Sequence, residues 1–194
     1  LRPENVELTI QGAFPLLSYT QTDASFIGLD TDVSYHLNKH FDVTGKLSLI
    51  RAEDQLNKGP LISIPTNRLS TGITYNFNDG WLKDPYISLS ADMVDKQRNA
   101  PRVVSISEVI EANETNSDLF TDNQTVFDFL APPAGYTNIG FSVGFKVPVS
   151  GNYLALYASV ENMFNNSYRD YMNRLRYYSD ETGRNFSVKL NYSF

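Results

Sequence analysis

The chain has 194 residues, a net charge of -6, 12 Tyr, 12 Phe, one Trp and no Cys. Without cysteine there is neither a disulfide framework nor a thiolate metal site, and without a Lys/Arg stripe to neutralise phosphates nucleic acid is not an expected partner. No run reaches the roughly 18 apolar residues of a membrane-spanning helix, while a mean hydropathy of -0.32 leaves room for strands with one polar face.

Residues 1–14 read as a loop. The first strand is predicted over 17–37, with Ile27, Leu29, Thr31, Val33, Tyr35 and Leu37 on one face and Gly28, Asp30, Asp32, Ser34 and His36 on the other, because successive strand side chains alternate sides. A tight turn over 37–40 leads to a second strand with Val43, Gly45, Leu47 and Leu49 as its apolar face. A loop over 52–64 follows, punctuated by Gly59-Pro60. The third strand sets Leu69, Thr71, Ile73, Tyr75 and Phe77 against Ser70, Gly72, Thr74 and Asn76, and Asn78-Asp79-Gly80 is a turn signal. The fourth sets Ile87, Leu89, Ala91 and Met93 against Tyr86, Ser88, Ser90 and Asp92. A long polar stretch over 97–135 separates it from the fifth, in which Ile139, Phe141, Val143, Phe145 and Val147 oppose Asn138, Gly140, Ser142, Gly144 and Lys146. After a turn over 148–152, Leu154, Leu156, Ala158 and Val160 carry the sixth, and 165–182 is again a long loop. The seventh ends the chain, with Phe186, Val188, Leu190, Tyr192 and Phe194 against Asn185, Ser187, Lys189, Asn191 and Ser193.

Seven amphipathic strands joined by alternately short and long connections predict an all-β, antiparallel transmembrane barrel, apolar outside and wet inside. Each long strand reaches the roughly 9 to 11 residues needed to cross the hydrocarbon layer at a tilt. Tyr19, Phe26, Tyr35, Phe41, Tyr75, Phe77, Tyr136, Tyr153 and Phe164 fall near strand ends, where interfacial aromatic girdles belong. Seven strands cannot close a barrel without leaving backbone groups unpaired in lipid. The chain is therefore expected to be the C-terminal portion, over 1–194, of a larger barrel whose earlier parts precede Leu1.

Three groups of side chains are candidates for chemistry. His36 and His40 straddle a strand end and a turn, share no face, and read as solvated residues of the short-turn rim. Glu108, Glu111, Glu114, Asp118, Asp122 and Asp128 offer oxygens to a hard cation, against the alternative of a solvated loop. Arg169, Arg174 and Arg176 crowd the last long loop with Tyr171, Tyr177 and Tyr178. Guanidinium and phenol suit an anionic, aromatic ligand, and the alternative is interfacial anchoring with contact to lipopolysaccharide. Gly28 permits either a close backbone approach or a bulge. A barrel hydrolase needs a nucleophile or activated water beside a His and an acid, and the only histidines, His36 and His40, fall at the wrong rim for an extracellular substrate, so no catalytic residue is expected; no cofactor is expected either.

Four stretches resemble TonB-dependent outer-membrane receptors: Tyr19-Thr-Gln-Thr-Asp-Ala-Ser-Phe-Ile-Gly-Leu-Asp30; Ile64-Pro-Thr-Asn-Arg68-Leu; Val160-Glu-Asn162-Met-Phe164-Asn-Asn-Ser-Tyr168-Arg-Asp-Tyr171; and Gly183-Arg184-Asn185-Phe186 running to Tyr192-Ser-Phe194. Met163 stands where the family usually has Leu, and Asp30 where Glu is common. The resemblance implies the last third of a barrel of about 22 strands in the outer membrane of a Gram-negative cell. It implies a plug and a coupling motif upstream of Leu1, and a TonB-type energy-coupling partner. It also implies that the barrel-assembly machinery reads the terminal strand Phe186, Val188, Leu190, Tyr192 and Phe194. The expected function is import of a scarce nutrient, foremost an iron-siderophore or haem complex, with zinc or cobalamin as alternatives. A passive pore or an enzymatic barrel is the rival from another class.

Overall fold

A computed structural model describes residues 2–9, 12–18, 21–56, 59–115 and 127–192. Strands β1 (Arg2–Thr9) and β2 (Gly12–Ser18) form a separate hairpin. There follow β3 (Ala24–His36), β4 (Phe41–Asp54), the short β5 (Gly59–Pro60), β6 (Arg68–Asn76), β7 (Lys83–Val94) and β8 (Arg102–Val103). Helix α1 (Ile106–Glu114) precedes β9 (Phe127–Asp128), β10 (Tyr136–Val149), β11 (Asn152–Glu161), a 3-10 turn over Arg174–Tyr177, and β12 (Asn185–Tyr192).

The seven expected strands are β3, β4, β6, β7, β10, β11 and β12. They lie side by side as one antiparallel meander in the order β12-β11-β10-β7-β6-β4-β3, with β5 paired to β4. Connections over 37–40, 77–82 and 150–151 are short, and those over 55–67, 95–135 and 162–184 are long. Among the described residues no helix is long and apolar enough to cross a membrane.

Register makes this sheet two-faced. Tyr35, Val43, Ile73, Leu89, Phe141, Val160 and Phe186 form one continuous cross-strand row through all seven strands. One residue along each strand, His36, Asp42, Thr74, Ser88, Ser142, Ser159 and Ser187 form a row on the opposite face. A slip of a single residue between any two strands would break both rows. Among the described residues no second layer covers the apolar face: Ile73 remains 44% and Phe186 72% exposed. The accessible surface is 12769 Å², against about 9,300 Å² expected for a compact monomer of this mass. The edge strands β3 and β12 are exposed along their described lengths.

Among the described residues a packed cluster of buried apolar side chains lies outside the sheet, in the long connections. Val104, Val109, Phe127 and Phe129 pack together with Ile106 and Tyr177 against them.

Two expectations need correction. The N-terminal loop contains the β1–β2 hairpin, and the first sheet strand begins at Ala24 rather than Leu17. The two arms pair antiparallel through Val6↔Pro15 and Leu8↔Ala13, a pairing between strands adjacent in sequence. The stretch over 97–135 is also not wholly irregular, since it holds β8, α1 and β9. Ser105 accepts from the Glu108 N–H at 3.2 Å while the Glu108 carboxylate accepts from the Ser105 N–H at 2.7 Å. This reciprocal cap satisfies two donors at the helix start.

Gly28 sits in unbroken pairing opposite Ile50, so no bulge is present there. A Cβ at Gly28 would lie 2.9 Å from the Leu49 carbonyl oxygen, and the close approach is that of the adjacent strand. At the short-turn rim Tyr75 packs on Phe77 and Phe41, with ring centroids 4.7 and 4.9 Å apart. Tyr19, Asp118, Asp122, Ser193 and Phe194 lie outside the described residues.

Candidate functional site

The long connections gather on one side of the sheet, and three aspartates organise them. Asp128 is presented by β9, whose parallel pairing to β8 is extended by the Val104 N–H donating to the Asp128 carbonyl at 2.9 Å. Arg176 comes from the 3-10 turn, which starts where the Asn173 side chain accepts from the Leu175 N–H at 2.9 Å. The Arg176 guanidinium donates to one oxygen of Asp128, and Tyr177 Oη donates to the other at 2.6 Å. The guanidinium also lies 4.7 Å from the Tyr171 ring centroid and 4.6 Å from that of Tyr177, within cation–π range. Burial foremost, then for Tyr177 the hydrogen bond to Asp128 and for Tyr171 the Asp128 charge, push both hydroxyls above the ordinary phenol range, so both stay protonated.

Asp170 ties the last connection to the sheet. It accepts from Arg68 of β6 at 2.5 Å, from Tyr136 Oη of β10 at 2.7 Å and from the Met172 N–H at 2.7 Å. Burial alone would raise this carboxyl, but these donors and the Arg68 charge outweigh it and hold Asp170 below the usual carboxylate range. Asp180 accepts from Ser167 and, at 2.6 Å, from Arg169 Nε. Those two hydrogen bonds depress its carboxyl as well.

The candidate residues of the last loop therefore separate. Arg176 and Tyr171 are buried, Tyr177 is half-buried, and Arg169 is engaged by Asp180 and by the Arg176 carbonyl at 2.7 Å. Arg174 and Tyr178 are exposed. Of the loop acids, Asp128 is held in the buried cluster, Glu108 caps α1, and Glu111 and Glu114 are exposed. Among the described residues no three His, Asp or Glu side chains are grouped to hold a metal ion. His36 Nδ1 is bonded to Asp42, and His40 Nδ1 to the Asn76 carbonyl at 2.8 Å, both at the short-turn rim.

A feature that the loop residues do not announce lies on the polar face below these connections. A cavity of about 440 Å³ is lined by Asp92, Glu161 and Glu181 together with Asn138, Tyr168 and Asn185. Asp92 accepts from Ser70 at 2.5 Å, and Glu181 from Asn173 at 2.6 Å. Tyr168 stacks on Tyr136 with centroids 4.2 Å apart, and burial raises its hydroxyl. No Lys or Arg lines this cavity. Strand alternation already assigns Asp92 and Glu161 to the polar face; what it does not supply is the folding-over of the 162–184 connection that brings in Glu181.

These features define an amphipathic antiparallel wall, capped on one side by tied loops, with an acidic recess on its polar face. Its backbone is similar to that of a solved structure, the copper transporter OprC, with a TM-score of 0.69 and 20% sequence identity over 98% of this chain. The chain spans about a quarter of that protein's length, 26%. No family model matches the sequence, and no curated protein matches it.

Proposed function

We propose that this chain forms the C-terminal wall of a TonB-dependent outer-membrane receptor, and that the receptor imports a cationic cargo, foremost a metal cation. The observation that carries the membrane reading is the pair of cross-strand rows, one apolar and uncovered, one polar, maintained through seven strands. An apolar face of that extent is stable where lipid covers it. The open edges at β3 and β12 call for further strands to complete a barrel. The assembly machinery acts on β12, and a TonB-type protein acts on a segment upstream of Leu1.

The sign of the cargo follows from the recess. Three carboxylates with no opposing cation in the lining create a negative potential that attracts positive charge, and the copper transporter that shares this fold is in keeping with such a cargo. Binding of an anionic iron-siderophore or haem complex is the second reading, resting on the exposed Arg174 and Tyr178 of the last connection. Uptake by the intact receptor of copper, zinc and cobalamin, compared with ferric catecholates and haem, tests the proposal. Coupled uptake of a cationic cargo supports it. Uptake confined to the anionic complexes transfers it to the second reading, and absence from the outer-membrane fraction sinks both.

A further inference from the structure

The acids of the long connections are held in two different ways. Asp128, Asp170 and Asp180 each take a guanidinium, from Arg176, Arg68 and Arg169 respectively, so their charges are neutralised within the cap. Glu181 instead accepts at 2.6 Å from the side-chain amide of Asn173, and no Lys or Arg lines the recess to which it belongs. Asp92, on the strand side of the same recess, is held likewise by a neutral group, the Ser70 hydroxyl, at 2.5 Å. A neutral donor fixes a carboxylate without cancelling its charge, whereas an arginine does both.

Asn173 gives only half of its amide to this task. Its Nδ2 donates to Glu181, eight residues further on, while its Oδ1 accepts from the Leu175 N–H at 2.9 Å and starts the 3-10 turn that carries Arg176. An amide keeps donor and acceptor on separate atoms, so the two bonds do not compete. The Asn173 backbone is fixed as well, its N–H donating to the Asp170 carbonyl at 3.1 Å and its carbonyl accepting from the Arg176 N–H at 3.1 Å. Glu181 is placed by its own N–H, which donates to the Tyr168 carbonyl at 2.8 Å. That backbone bond leaves the several rotatable bonds of a glutamate side chain free. The bond from Asn173 directs the carboxylate.

We propose that Asn173 is the positioning residue of the acidic recess. It holds the Glu181 carboxylate in the lining at full charge, from the same side chain that starts the Arg176 turn of the loop cap. Order in the cap is thereby a condition for the third carboxylate of the recess. This inference rests on the cationic-cargo reading above.

The test uses the intact receptor with zinc(II) as the probe cation, affinities coming from titration calorimetry and cap order from hydrogen exchange over 174–178. Asn173→Ser keeps an oxygen that can accept from the Leu175 N–H, as serine does at helix starts, but is too short to reach Glu181. It is expected to lower zinc affinity roughly fivefold to tenfold with exchange in the turn unchanged. Glu181→Gln is expected to weaken binding by a similar factor. In that background Asn173→Ser should add nothing, because the two changes remove one interaction. The cycle decides even if serine loosens the turn, since a loosened cap would weaken binding in the Glu181→Gln background too. Unchanged affinity in Asn173→Ser, or two losses that multiply in full, overturns the inference and leaves the recess as a cation site. A wild type without saturable zinc binding, or full affinity in Glu181→Gln, overturns the cationic reading of the recess and this inference together.

Discussion

Arg176 and Asp128 form a buried ion pair between the two last long connections, with side chains only 4% and 1% exposed. Residues 48 positions apart are thus fixed to each other beside the Val104, Val109, Phe127 and Phe129 cluster. A desolvated charge survives there because the carboxylate takes donors on both oxygens and the guanidinium has two aromatic faces beside it. Such a pair is costly to break from one side, since the remaining charge keeps its desolvation penalty.

Arg176→Ala is therefore expected to destabilise the loop cap by about 3–5 kcal/mol and leave the strand meander in place. Hydrogen exchange should rise across 102–112 and 170–178 and remain low in β7 and β10. An increase spread evenly over the sheet strands, or none in the loops, would contradict a local lock.

The Asp170 anchor makes this cap acid-sensitive. Its carboxyl titrates below the ordinary value in the folded protein, so it contributes stability in full above about pH 3.9, where the unfolded carboxyl is also ionised. That contribution is lost as pH falls from about 3.9 towards the folded-state value, when protonation weakens the bond from Arg68. Exchange in 162–184 should rise in that window, and Asp170→Asn should show faster exchange at neutral pH and a flatter acid response. An acid profile identical in the variant would remove Asp170 from the account.

The two faces of the wall should tolerate charge unequally. Phe141→Arg and Val188→Arg place a cation in the lipid-facing rows and are expected to cost about 2–4 kcal/mol each near mid-bilayer. Ser142→Arg and Ser187→Arg, each adjacent to its apolar counterpart on the same strand, fall in the polar row and should be milder. The measurement is heat-modifiable barrel in outer-membrane fractions of cells making the intact receptor. Equal yields from both pairs would mean that the rows do not separate lipid from water.

The strands were legible because their period of two carries a strong contrast, as in Ile139, Phe141 and Val143 against Asn138, Gly140 and Ser142. The break between hairpin and sheet was less so, because Ser18 to Ala24 holds neither Gly nor Pro. Contacts from outside the segment mark the boundary: Thr22 donates to Asp54 at 2.7 Å, and the Gln55 N–H donates to the Asp23 carbonyl at 2.7 Å. Helix α1 did carry a local signal, Ser105 followed three residues later by Glu108, obscured by the polarity of its surroundings. The grouping of Arg169, Arg174 and Arg176 among tyrosines was visible, but its internal division was not. Composition registers three cations in a short span, whereas the partners that occupy two of them, Asp128 and Asp180, are found only when the connections fold over one another.

That division decides how cargo binding should be tested. Arg176→Ala is a poor probe, because loss of binding would follow from collapse of the loop cap whatever the cargo's charge. Asp92→Asn and Glu161→Gln instead alter the acidic recess from its strand side, where the backbone is fixed by pairing on β7 and β11. In the intact receptor the double variant is expected to lower the affinity for a cationic cargo roughly tenfold, about 1.4 kcal/mol. The wild-type affinity should fall as ionic strength rises, because an open, wet recess is screened by salt. Arg174→Ala and Tyr178→Ala should leave that affinity unchanged. The reverse pattern, with the carboxamide variants silent and the Arg174 and Tyr178 variants impaired for a ferric catecholate or haem, would place recognition on the exposed loop and make the cargo an anion.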